Sequence, residues 1–168
     1  MSDEPSFLTD PTGTREQIMR ATYLALREHG YADLTIKRIG GEFEKSVSLL
    51  YQHYDGKDEL LLEFLSFMLD EFQRSLPPLS ADDPATHLDA VLDHAFAPDP
   101  PTECREFEAT MVELRAQAAS DERYRERFTD HDRFFRDRLA RVLRAGIEDG
   151  TFREVDPEAV AAFLFAAV

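Results

Sequence analysis

The stretch KSVSLLYQHYDGKDELL, residues 45–61, decides the fold of this chain. Ser46 opens a short helix that sets Leu50 and Tyr54 four apart, the spacing of a pair buried on one face. Val47, Ser48, Tyr51 and Gln52 are left to project from the other. Asp55-Gly56 then breaks the pattern, and Lys57 starts a long apolar stripe. Upstream, Thr35 caps another short helix that buries Ile36, Ile39 and Phe43, with about three residues between the two. Two short helices joined so tightly after a longer one outline a helix-turn-helix.

That longer helix begins at Thr14-Arg15-Glu16-Gln17, which has capping-box spacing, and should close near His29, before Gly30. The fourth helix spans Lys57 to Leu76 with Leu61, Phe64, Leu65, Met68 and Phe72 as its stripe. Pro77-Pro78 ends it and marks a module boundary, since neither ring continues the hydrogen-bond ladder. Asp83-Pro84 opens a fifth helix with Leu88, Val91, Leu92, Ala95 and Phe96 inward, and Pro98 to Pro101 breaks again. The sixth places Cys104, Phe107, Met111, Leu114 and Ala118 together; the seventh, begun by Asp121, aligns Tyr124, Phe128, His131, Phe135, Leu139, Val142 and Gly146. Gly150 stops it, and Asp156-Pro157 starts an eighth. From Ala159 to Val168 every residue is apolar, so this segment needs cover from another helix or subunit, and the run's position at the chain end points to a longer protein. No period-two strand or internal repeat interrupts the pattern. The fold class is therefore all-α, with a helix-turn-helix module over residues 1–55 and an antiparallel helical body over 56–168.

Charge is distributed unevenly. The chain carries a net −15, yet its only lysines, Lys37, Lys45 and Lys57, fall in one window from Thr35 to Lys57, where with Arg38 they outnumber Glu42, Glu44 and Asp55. An acidic, lysine-poor surface is what concentrated salt selects, because a large net charge maintains solubility there. At molar ionic strength the screening length is about 3 Å, so a distant acidic coat hardly opposes DNA. Counterion release then supplies little affinity, and close contacts must carry binding.

Composition excludes other classes. No apolar run is long enough to span a bilayer, and the acidic N-terminus lacks a secretion signal's basic start, which places the protein in the cytoplasm. The single cysteine, Cys104, rules out an internal disulfide and a cysteine-rich zinc site. His87 and His94 lack a third ligand, so no metal is expected. There is no glycine-rich phosphate loop, no His-Glu-x-x-His run, and no spacing that nominates a nucleophile with its base, so neither an enzyme nor a cofactor is expected.

A reader helix needs a free N-terminal half, buried residues that fix its angle, and flanking phosphate donors. Gln52 suits adenine edges, and Val47 and Tyr51 suit thymine methyls. Lys57 lies in a first turn whose free amides favour an anion. At these residues, GYADLTIKRIGGEFEKSVSLLYQHYDGKDELL resembles the helix-turn-helix of TetR (tetracycline-repressor-like) transcriptional regulators, strongly over about residues 14–65. The resemblance implies that Lys37, Val47, Ser48, Tyr51 and Gln52 face bases and that Thr35, His53 and Lys57 grip phosphates, with Lys45 completing the basic window. It also implies a homodimer joined through its C-terminal helices, a near-palindromic DNA operator, and release when a small-molecule effector enters the helical body.

The sequence departs from the family at Glu44-Lys45, where glycine then valine is usual, at Val47 in place of lysine, and at Gly40 in place of alanine. These departures read as altered specificity. Phe64, Met68, Phe72, Phe107, Met111, Phe128, His131 and Phe135 form the candidate ligand set, although apolar stripes at this spacing also make plain core. A second reading stays open, in which an all-helical ligand-binding or interaction protein has lost operator binding; Glu44 and the net charge favour it, while Lys37, Tyr51 and Lys57 oppose it.

Overall fold

A computed structural model describes residues 8–43, 45–76, 83–95 and 102–167. Among them are eight helices and no strand: α1 (Thr14–Asp33), α2 (Ile36–Glu42), α3 (Val47–His53), α4 (Lys57–Ser75), α5 (Pro84–Ala95), α6 (Thr102–Gln117), α7 (Glu122–Glu148) and α8 (Pro157–Ala167). The expected breaks at Pro77-Pro78 and Pro98 to Pro101, and Glu44, Phe96 and the side chains of His94 and Cys104, lie outside what is described.

Local chemistry sets the ends. The Thr35 hydroxyl accepts from Arg38 N at 3.2 Å, the Ser46 hydroxyl from Ser48 N at 3.2 Å, and Asp156 Oδ1 from Glu158 N and Ala159 N at 3.0 and 3.1 Å. The start of α1 differs from the expected box. Gly13 is its N-cap, and Glu16 reaches back to Thr12 N, the Thr12 hydroxyl and Gly13 N, at 2.6, 2.8 and 3.2 Å. The Thr12 hydroxyl, then the two amides, hold the Glu16 carboxyl below the usual range. Thr14 is thereby the first helical residue, and its hydroxyl accepts from Lys45 Nζ at 3.0 Å.

The chain divides into two compact units, one of Met1–Ser75 with Pro101–Phe128, the other of Leu76–Pro100 with Thr129–Val168. In the first, α1 packs on α2, α4 and α6, and α2 packs on α3. Ile18, Tyr23, Ile39, Leu50, Leu61, Phe64, Leu114 and Tyr124 lie in one buried cluster. The helix-turn-helix thus shares its core with α4, α6 and residues 122–128 rather than closing a core of its own by residue 55. Ion pairing between Arg15 and Glu63 ties α1 to α4 at the surface, and the Arg15 guanidinium lies 5.2 Å from the Phe67 ring centre.

In the second unit, Leu139, Ala140 and Leu143 of α7 and Ala161 of α8 are buried, with Leu88, Val91, Phe152, Val160 and Leu164 against them. Gly150 has φ +82, which ends α7, and Phe152 N then donates to Gly146 O at 2.7 Å. The all-round cover expected for α8 is absent among the described residues. Ala161 is buried, but Ala159, Ala162 and Ala166 are exposed and Phe163 is 72% exposed.

The turn after α7 depends on a missing side chain. A Cβ on Gly146 would stand 2.2 Å from Phe152 Cδ2. Gly146→Ala should therefore lose about 1–2 kcal/mol, as overpacking outweighs the gain in helix propensity. A urea midpoint at or above the wild-type value would show that Phe152 gives way freely.

Candidate nucleic-acid interface

The seven residues of α3 have two unlike faces. Leu50 is fully buried, while Tyr51 is 60% exposed and Ser48, Gln52 and His53 are exposed beside it. Positions 48, 51 and 52 share one side of the helix, so a hydroxyl, a phenol and a carboxamide stand together over the docked side. Tyr54 caps the helix half-buried, and burial, then Glu63, push its phenol up. Thr35 and Lys37 are exposed at the start of α2, and Lys45 is exposed in the turn.

Val47 departs from the expectation. It is half-buried and packs against the core, because Gly40 of α2 leaves it room: a Cβ on Gly40 would lie 2.5 Å from Val47 Cγ2. The glycine on α2 and the valine on α3 are therefore one packing pair, in which a small residue accommodates a branched one. Val47 sets how closely α2 and α3 approach rather than standing clear as a base reader.

Lys57 is also more engaged than an open phosphate donor. It is half-buried, its Nζ donates to Tyr31 O at 2.7 Å, and it lies 4.7 Å from the Tyr31 ring centre. Two further N–H groups remain on the ammonium.

The helix-turn-helix and the body both match known families. Residues 18–64 match the model described as bacterial regulatory proteins, tetR family, and residues 84–168 match that of the BetI-type transcriptional repressor, C-terminal. A TetR transcription regulator from Haloarcula marismortui is 40% identical, covering 90% of this chain and 80% of its own, with a TM-score of 0.82. The chain belongs to the TetR family. A SmeT–triclosan complex is 29% identical, covering 91% of this chain and 75% of its own, with a TM-score of 0.68. The regulator HbdR of Aromatoleum sp. (strain CIB) is 35% identical over 75 residues, 43% of this chain and 33% of HbdR's length. This TetR chain is accordingly a DNA-binding transcriptional regulator, and the reading that denied it DNA is not favoured.

The candidate ligand residues are placed unevenly. In the first unit Phe64 and Met68 are fully buried and Phe128 nearly so, with the Arg115 guanidinium 4.4 Å from its ring centre. Phe72 and Phe107 stack with centres 5.9 Å apart, and Met111 is half-buried against the same core. In the second unit His131 and Phe135 are half-buried, with ring centres 4.7 Å apart. A cleft of about 510 Å³ in the first unit is lined by none of these eight. Arg27, Glu28, Glu42, Glu106, Thr110 and Glu113 line it instead, and Arg27 pairs with Glu106 at 2.7 Å. Among the described residues no group of three metal-ligating side chains occurs, and no helix is long and apolar enough to cross a membrane.

The Gly40–Val47 pair can be tested through its coupling. Gly40→Ala alone should lose about 1 kcal/mol, whereas in a Val47→Ala background the same change should gain up to about 1 kcal/mol of helix propensity. Urea titration of the four proteins measures this, and equal effects in both backgrounds would refute the packing pair.

Proposed function

We propose that this regulator is a dimeric repressor that reads a near-palindromic operator through Ser48, Tyr51 and Gln52 and releases it when a small molecule occupies its helical body. The two-faced α3 carries this reading, since Leu50 is removed from water while Tyr51 beside it is open to a major groove. Lys37, exposed at the start of α2, joins Ser48, Tyr51 and Gln52 as a base-facing residue, and Thr35, Lys45, His53 and Lys57 are the phosphate and flanking contacts. The match to a repressor C-terminal model and the triclosan complex of a relative support a small-molecule effector. Half-buried Phe72, Phe107 and Met111 are the apolar side chains a ligand can reach in the first unit; taken by itself, the second unit offers half-buried Phe135 beside the imidazole of His131.

A second copy of the chain is the natural cover for the exposed apolar face of α8, where Phe163 stands among Ala159, Ala162 and Ala166. Family membership argues against catalysis. A cytoplasmic location in a salt-adapted cell accords with a net charge of −15 and three lysines held to one window.

Selection from random duplex DNA should enrich a two-fold-related motif. Tyr51→Ala should then weaken binding by about tenfold or more, the value of one good base contact. Four basic residues per reading head limit the slope of log affinity against log salt to about −3.6 per subunit. Undiminished binding by the Tyr51 variant, or a much steeper slope, would sink this assignment of contacts.

A further inference from the structure

Tyr31 joins three helices of the first unit. Gly30, at φ 70 and ψ 165, breaks the regular turn of α1. The Tyr31 N–H beyond that kink donates to Glu113 Oε2 of α6 at 2.9 Å, across 82 residues of sequence. A Cβ at Gly30 would make only ordinary contact with Glu113, 3.7 and 3.9 Å from its two oxygens, so the positive φ rather than space calls for glycine here. On its other side, the Tyr31 carbonyl accepts from Lys57 Nζ at 2.7 Å, and the Tyr31 ring faces the same ammonium.

We propose that Glu113 is a positioning residue for the DNA grip of Lys57, acting through Tyr31; this rests on the reading that Lys57 contacts a phosphate. Lys57 begins α4, where the helix dipole opposes a cation, so its head needs a compensating seat. The carbonyl end of α1 and the face of the tyrosine ring supply one. One N–H goes to the carbonyl and one side of the head to the ring, which leaves donors for a phosphate oxygen. A lysine free to swing loses its rotamer freedom when DNA arrives, whereas this one has lost it beforehand. The seat is only as steady as the Tyr31 backbone, and Glu113 is the side chain that fixes its N–H.

Charge and positioning predict opposite signs for one substitution, which makes the inference testable. Glu113→Ala removes a negative charge, so electrostatics alone would tighten DNA binding. Loss of the seat should instead weaken binding to the selected operator duplex by about tenfold, the value of a charge-assisted hydrogen bond. The salt slope should become shallower by up to about 0.9 per subunit, one phosphate contact. Glu113→Gln loses the same charge but keeps an oxygen for the Tyr31 N–H, and should bind as the wild type does or better. In a Lys57→Ala background, Glu113→Ala should cost nothing further. Circular dichroism of each variant confirms folding, and if the alanine variant does not fold, the glutamine variant with a wild-type salt slope still supports the seat. Weakening by Glu113→Gln equal to that by Glu113→Ala, or an equal loss from Glu113→Ala with and without Lys57, would overturn the positioning role alone. Wild-type affinity in Lys57→Ala would overturn the phosphate reading beneath it.

Discussion

A helix of seven residues is too short to persist in water, so α3 keeps its shape only because Leu50 is held in the cluster that also contains Ile18, Tyr23, Ile39 and Leu61. Burying one leucine contributes about 1.5–3 kcal/mol, more than a two-turn helix supplies for itself. The rigidity of Ser48, Tyr51 and Gln52 is therefore borrowed from α1, α2 and α4. Gly40 belongs to the same constraint. By letting Val47 approach closely, it adds a second point of attachment at the N-terminal end of α3, nearest to where a groove would be entered.

The acidic coat and the reading head act over different distances. Exposed charges more than about 10 Å apart are largely screened at 0.1 M salt, and those farther off count for less as salt rises. What a phosphate meets at close range is the window holding Lys37, Arg38, Lys45 and Lys57, and three of these four already bond to the protein. Arg38 donates to Asp33 O, Lys45 to Thr14 and Lys57 to Tyr31. Each bond restricts a long side chain, so the cations are few but arranged in advance. Pre-arrangement of this kind matters most where diffuse attraction is weak.

Features decided by local chemistry were legible in the sequence. Thr35, Ser46 and Asp156 cap helices as their side chains dictate, and Gly150 adopts the positive φ of a glycine that ends a helix; Gly30 has a positive φ too, but as a kink within α1, which runs on to Asp33 rather than closing near His29. The start of α1 lies one residue earlier than the box spacing indicates because its N-cap is Gly13, which has no side chain for the pattern to register, while Thr14 and Gln17 fit that spacing one position on. Val47 was read as a base contact because helical spacing shows which side a residue is on but not that a neighbouring helix lacks a Cβ. The ligand set was ambiguous for a similar reason. The spacing that carries Phe64 and Met68 inward serves a core and a pocket equally, and both residues are fully buried. Glu113 could not be found by spacing at all, since its partner lies 82 residues away and is a backbone amide.

Gly30 shows how one residue can set both the head and its attachment. Its φ of +70 is a conformation that L side chains rarely adopt, so another residue there would strain the kink and turn the Tyr31 peptide toward the ladder of α1. The N–H that meets Glu113 would then be used within the helix. The kink, the α6 contact and the seat beneath Lys57 therefore stand or fall together. A backbone conformation at the end of the first helix thus governs a cation on the fourth, and the acceptor that completes the link is supplied by the sixth.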